Sequence, residues 1–295
     1  MSQPISPLLQ KHLKPFEKYF KIKGLVELCI NQPGEIYIET LDGWTVKKDD
    51  AFTLQNLNHF AEVLATSKGQ KFGANVPLLS TSLPGYGFRV QVVGGALVGS
   101  GFSLTIRVAQ AQRFELTSYM SEAGASELQK MIEDGKTILV AGGTSSGKTT
   151  LLNSMIRYIQ NDKRIITIED TQELEIDQPN NIRILKSKTG TDIAKMTYKD
   201  IINSCMRMRP DRLLMGELDI ENTVPFLRLL NTGHAGCMAT IHADGPQEAM
   251  DAICMNAQLA GMLGPVEQYA RKGIDSVLFI ERKDRRTFAA RMEHL

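Results

Sequence analysis

Near the start of the chain, Leu9, Leu13, Phe16 and Phe20 recur at helical spacing and mark the apolar stripe of an amphipathic helix. Two extended patterns follow, VELCI and EIYIE, on either side of the turn residues Gln32, Pro33 and Gly34. A second helical stripe, Leu57, Phe60, Ala61 and Leu64, precedes the strand patterns FRVQVV and FSLTIRV. Alternation in the last of these puts Phe102, Leu104, Ile106 and Val108 on one face, with Ser103, Thr105 and Arg107 on the other. Arg89 likewise opposes Phe88, Val90 and Val92. The spacing therefore predicts a mixed α and β domain over residues 1–110, with arginines on the polar face of its sheet.

Apolar periodicity then fades into AQAQRFELTSYMSEAGA, and residues 111–125 read as a polar connector. Beyond it come a short helix from Ser126 to Asp134, stopped by Gly135, then TILVAG, a helix from Lys148, RIITIED, a helix near Tyr198 to Met208, and RLLMGE. Strands alternating with helices imply a largely parallel sheet with helices on its faces, so residues 126–295 are expected to form an α/β domain.

A chain of 295 residues can bury two modest cores, and 42% hydrophobic with 23% charged residues excludes disordered, collagen-like and coiled-coil classes. The formal net charge of +1 supplies no global basic field, and no sequence-specific nucleic-acid binding is expected. No apolar run approaches the roughly 18 residues of a membrane span, and the start lacks a basic region followed by an apolar one; a cytoplasmic protein is expected. Cys29, Cys205, Cys237 and Cys254 are scattered without any C-x-x-C pair and read as small hydrophobes.

The sharpest chemical signal is Gly142, Gly143, Thr144, Ser145, Ser146, Gly147, Lys148 and Thr149, which fit G-x-x-x-x-G-K-[ST]. The required strand (TILVA) lies just before it, and a helix with Leu151, Leu152, Met155, Ile156 and Ile159 on its apolar side lies just after. Glycines let backbone N–H groups curl around a phosphate, the helix N-terminus adds partial positive charge, and Lys148 reaches the outer phosphates. Thr149 would offer its hydroxyl to Mg²⁺, and Thr150 belongs to the same first turn, so ATP with Mg²⁺ is the expected ligand pair. Acidic residues end the next two predicted strands, Glu169 with Asp170 and then Glu217. Carboxylates there can hold Mg²⁺ or polarise water, although a strand-end acid can also cap the following helix. His234 and His242 lack the further ligands a zinc site needs; sensing the terminal phosphate or positioning water suits them better, and one of them can equally be a core histidine.

The order GGTSSGKT, RIITIEDTQEL, RMRPDRLLMGEL, TGHAGCMATIHA resembles the secretion ATPase superfamily, with its Walker A loop, Asp box, Walker B segment ending in Gly-Glu, and His box. Within it the chain looks most like the VirB-type traffic ATPases of type IV secretion, because type II members usually carry a longer chain and a four-cysteine metal module. The likeness is strong in the C-terminal half and rests on general layout in the N-terminal half. It implies a RecA-like C-terminal domain, a homo-hexameric ring, inner-membrane secretion components as partners, and a peripheral place on the cytoplasmic face of that membrane. The work implied is substrate transfer, pilus biogenesis or conjugative DNA transfer. By the same resemblance Glu217 activates water, Glu169 and Asp170 serve Mg²⁺ and the phosphates, and His234 and His242 are the His-box sensors. An arginine of the N-terminal domain would approach the nucleotide, Arg107 ahead of Arg89 and Arg113. One departure is Asp219, where many relatives carry arginine. From other functional classes, a P-loop phosphotransferase and a nucleotide-gated docking module use the same loop.

Overall fold

A computed structural model describes residues 5–108, 114–187, 195–284 and 287–295. The described residues fall into two compact units, one drawn from 1–110 with 170–172 and 186–195, the other from 111–169, 173–185 and 196–295. Arg113 lies outside the described residues.

In the first unit, Ser6 caps helix α1 (Pro7–Phe20), its hydroxyl accepting from the Leu9 amide, and Pro7 occupies the first turn, where its missing N–H costs nothing. Strands β1 (Leu25–Ile30), β2 (Glu35–Thr40) and β3 (Gly43–Lys48) form an antiparallel meander. Helix α2 (Leu54–Ser67), capped by Thr53, leads to β4 (Leu78–Ser82), β5 (Arg89–Gly94) and β6 (Phe102–Arg107). The sheet order is β3-β2-β1-β6-β5-β4. Period-two alternation buries Leu28, Ile30, Ile36, Ile38, Val90, Val92, Phe102, Leu104 and Ile106 in one core with the apolar stripes of α1 and α2. Phe16 is its centre, with ring centroids 4.7 Å from Phe52 and 4.9 Å from Phe60. The opposite face carries the polar alternates, and Arg107 there stands across from Glu27 on β1 and Arg89 on β5.

The second unit starts earlier than periodicity suggests. Ser121 caps α3 (Glu122–Glu133), and Leu116 and Tyr119, from the stretch that reads as a connector, are buried in its core. Two apolar anchors among polar neighbours give no periodic signal. The sheet then runs through β7 (Ile138–Gly142), α4 (Lys148–Ile156), β8 (Ile165–Glu169), β9 (Asn181–Leu185), α5 (Tyr198–Arg207), β10 (Arg212–Met215), α6 (Thr223–Leu230), β11 (Met238–His242), α7 (Pro246–Leu259), α8 (Val266–Gly273), β12 (Ser276–Arg282) and β13 (Phe288–His294). Its order is β13-β12-β7-β11-β10-β8-β9, parallel throughout except for β13 against β12. Every residue of β7, β8 and β10 is buried, because helices cover both faces: one core packs under α3 and α4, the other under α5 to α8. Parallel strands carry their C-terminal ends to one edge, which brings Gly142, Glu169, Met215 and His242 there in sequence order β7, β8, β10, β11. None of the described helices is long and apolar enough to cross a membrane.

Truncating the aromatic centre of the first unit tests this account of its core. Phe16→Ala removes a side chain 2% exposed and should cost about 3–5 kcal/mol. Trp44, the one tryptophan of the chain, lies on β3 and reports on this unit, so denaturant unfolding followed by its fluorescence should show a lowered midpoint. An unchanged midpoint would contradict the packing described.

Candidate active site

Between β7 and α4 the chain forms the loop Gly143 to Gly147. Ser145 and Gly147 adopt left-handed backbone, φ 59 and 93, the conformation from which anion-binding nests are built. Close packing dictates two of the glycines. A Cβ on Gly142 would lie 2.5 Å from Ser146 Oγ and 2.6 Å from the Ile280 carbonyl oxygen, and one on Gly147 would lie 2.9 Å from the Phe288 ring. Gly143 faces open space. Gly147 caps α4 without a side-chain hydrogen bond, which leaves the helix N-terminus available to an anion. Among the described residues the buried Ser146 hydroxyl has no hydrogen-bond partner, as expected of a cradle completed by a ligand. Thr144 is exposed, and Thr150 lies in the first turn of α4.

Lys148 is only 8% exposed. Its Nζ donates to the carbonyls of Gly142 and Gly143, each at 2.8 Å, and lies 3.2 Å from His242 Nδ1. His242 stands directly across from Gly142 in the β7–β11 register, and its Nε2 is 2.9 Å from Glu217 Oε1. An ammonium only donates, so Nδ1 accepts and Nε2 carries the hydrogen donated to Glu217. The result is a directed line from Lys148 through a neutral His242 to Glu217.

Glu217 sits just past β10, and its backbone is fixed from both sides. Leu218 N donates to the Thr240 carbonyl at 2.8 Å, and Asn222 Nδ2 donates to the Glu217 carbonyl at 2.9 Å. Asp219 accepts from the amides of Glu221 and Asn222 and holds the turn into α6.

At the end of β8, Glu169 is buried and both of its carboxylate oxygens accept hydrogen bonds. Oε1 accepts from the amides of Glu173 and Leu174, each at 2.7 Å, and Oε2 from the Thr167 hydroxyl and Arg183 Nε, each at 3.1 Å. Burial pushes its carboxyl above the usual carboxylate range, opposed by the amides and by Arg183. Asp170 accepts from Arg89 Nη2 at 2.7 Å and from the Thr171 amide at 2.8 Å, all within the first unit. The carboxylate beside Thr149 is instead Glu173, with Oε2 3.3 Å from Thr149 Oγ1. Sequence spacing passes over it, since four residues beyond a strand end nothing fixes where a loop acid points.

His234 is not gathered into this site. It precedes β11, with Nδ1 3.2 Å from Thr232 Oγ1, whereas His242 ends the strand. A five-residue strand spans about 13 Å and puts the two histidines at opposite sheet edges. Arg107 belongs to the first unit and the P-loop to the second.

Residues 79–266 match the family model described as type II/IV secretion system protein. The type IV secretion system protein VirB11 of Bartonella quintana is 31% identical, over 89% of this chain and 84% of its own length. The PtlH homolog of Bordetella bronchiseptica is 31% identical, over 92% of this chain and 90% of its own. Among solved structures, the Legionella pneumophila ATPase DotB superposes with a TM-score of 0.69 at 17% identity, covering 100% of this chain and 82% of that one, a likeness of fold.

The close contact at Gly142 yields a direct test of the loop. Gly142→Ala must displace either the Ser146 side chain or the β12 backbone at Ile280, so the loop shifts. Binding of a fluorescent nucleoside triphosphate should weaken at least tenfold, with a melting temperature lowered by a few degrees. Binding equal to wild type would show that the loop does not hold phosphate.

Proposed function

Because this chain belongs to the type II/IV secretion system protein family, a family of ATPases, we propose that it hydrolyses ATP to drive a type IV secretion system. The observation that carries this reading is the Lys148–His242–Glu217 line set on a phosphate loop. Lys148, stowed on two loop carbonyls, swings its ammonium onto the outer phosphates when nucleotide displaces it. The nest, the α4 N-terminus and Ser146 hold the remaining phosphate oxygens. Glu217 orients the attacking water and takes its proton, and His242 keeps that carboxylate aimed while sensing whether Lys148 has moved. Thr149 would help to hold Mg²⁺, which would supply positive charge against the negative charge that develops on the phosphates. Glu169 acts on that site at one remove, through the amides of Glu173 and Leu174 that it holds.

Phosphoryl transfer needs positive charge beyond what one loop supplies, and ATPases commonly recruit an arginine from elsewhere. Arg107 on the exposed sheet face is our candidate. A homo-hexameric ring working on inner-membrane secretion components from the cytoplasmic face fits this requirement, since neighbours in a ring can complete each other's sites. His234, away from the P-loop of its own chain, would serve such an interface.

Glu217→Gln separates hydrolysis from binding. The variant should bind ATP with Mg²⁺ at least as tightly as wild type and release phosphate slower by two to four orders of magnitude, as expected when only a proton acceptor is lost. Parallel loss of binding and turnover would assign Glu217 to nucleotide or metal binding instead. Arg107→Ala should lower turnover by about a thousandfold with little change in melting temperature. A near-normal rate would make Arg107 a solvated surface charge.

A further inference from the structure

Strand β3, at the edge of the first unit's sheet, runs against the polarity of that sheet. On its neighbour β2, Ile36 and Ile38 are buried under the helices, and Glu35, Tyr37 and Glu39 stand on the open face. The β2–β3 register sets Trp44 opposite Glu39 and Val46 opposite Tyr37, so both apolar residues belong to the open face. Thr45 and Lys47 take the core side, opposite Ile38 and Ile36. A slip of one residue would have turned Trp44 and Val46 inward; in this register they are 52% and 56% exposed. Core packing therefore does not account for the one tryptophan of the chain.

The face continues inward from the edge in two rows. In one, Tyr37 lies between Val46 and Cys29 of β1. In the other, Glu39 lies between Trp44 and Glu27 of β1. Like charges directly opposite each other on adjacent strands are unfavourable. Glu27 also has Arg107 across from it, whereas the cross-strand neighbours of Glu39 are a carboxylate and an indole. A cation placed over Trp44 would meet the negative face of the ring and the Glu39 carboxylate together.

We propose that this face docks a protein partner through a basic, apolar segment. A Lys or Arg of that segment seats over Trp44 against Glu39 and Glu27, and a neighbouring aliphatic side chain lies on Val46 and Tyr37. Trp and Tyr are the side chains that commonly anchor interfaces, and an edge strand leaves its outer side open to a partner. Charge selects among the occupants. Anionic lipid headgroups attract basic segments and would be repelled by Glu27 and Glu39. A second copy seated face to face by two-fold symmetry would set the same carboxylates against each other. The docking site goes beyond the ATPase reading and needs no nucleotide.

The test uses the full chain without nucleotide and three short peptides: Lys alternating with Leu, the same with Glu in place of Lys, and the same with Ser in place of Leu. Trp44 is the reporter. The Lys and Leu peptide should shift its emission to the blue and saturate, and the other two should not. Glu39→Lys and Val46→Asp should each weaken that peptide at least tenfold. Their melting temperatures should stay within a few degrees of wild type, because neither side chain belongs to the core. Glu62→Lys, on the exposed side of α2, should bind within twofold of wild type. No shift with any peptide overturns the proposal, as do equal binding of either control peptide and an equal loss in Glu62→Lys. A dimer in sedimentation whose formation shifts Trp44 emission would assign the face to a second copy. A stronger response to phosphatidylglycerol vesicles than to the Lys and Leu peptide would assign it to a membrane. Either result overturns the proposal as well.

Discussion

A buried ammonium must find acceptors, and Lys148 finds them only if the loop, β7 and β11 keep one arrangement. The desolvation cost of such a charge is several kcal/mol unless it is met by hydrogen bonds. Two loop carbonyls and one imidazole nitrogen meet it here. The carbonyls exist at that spot because Gly142 and Gly147 permit a turn that any Cβ would crowd. The imidazole exists there because the β7–β11 register sets His242 opposite Gly142. One charge therefore fixes a histidine tautomer, and the tautomer aims Glu217.

Around this line the fold divides polar labour from packing. Strands buried on both faces hold the sheet edge rigid, and the polar groups that reach the edge are braced by further polar groups. Glu169 illustrates the cost: a carboxylate taken fully out of water, compensated by two amides, a hydroxyl and Arg183. Its return is a loop of defined shape. Removing a single donor would leave the remaining charge under-compensated, which is why such a network stabilises one conformation rather than several.

Much of this was legible before any coordinates. The P-loop carries its own context of strand, glycines and helix, and the alternation of Phe102, Leu104 and Ile106 against Ser103, Thr105 and Arg107 fixed which face of β6 is buried. What stayed hidden has physical reasons. Strand β13, half-exposed along its length at the sheet edge, has no clean alternation. Helix α8 buries only Val266 and Ala270, too few to make a stripe. The start of the second unit is masked because Leu116 and Tyr119 are two isolated apolar anchors among polar neighbours. Glu169 ends a strand, where metal-binding acids often stand, and its two oxygens accept from four donors that strand position alone does not reveal. Glu173 and the separation of His234 from His242 follow from loop path and strand length, which motif spacing does not encode.

The most direct measurement is steady-state phosphate release from ATP by the full chain, wild type against Lys148→Ala, with melting temperatures taken on the same samples. The account predicts turnover in wild type, none measurable in the variant, and melting temperatures within a few degrees, because the ammonium and its acceptors leave the core untouched. Turnover by Lys148→Ala close to wild type would contradict it, since the line that begins at Lys148 would then play no part in the chemistry.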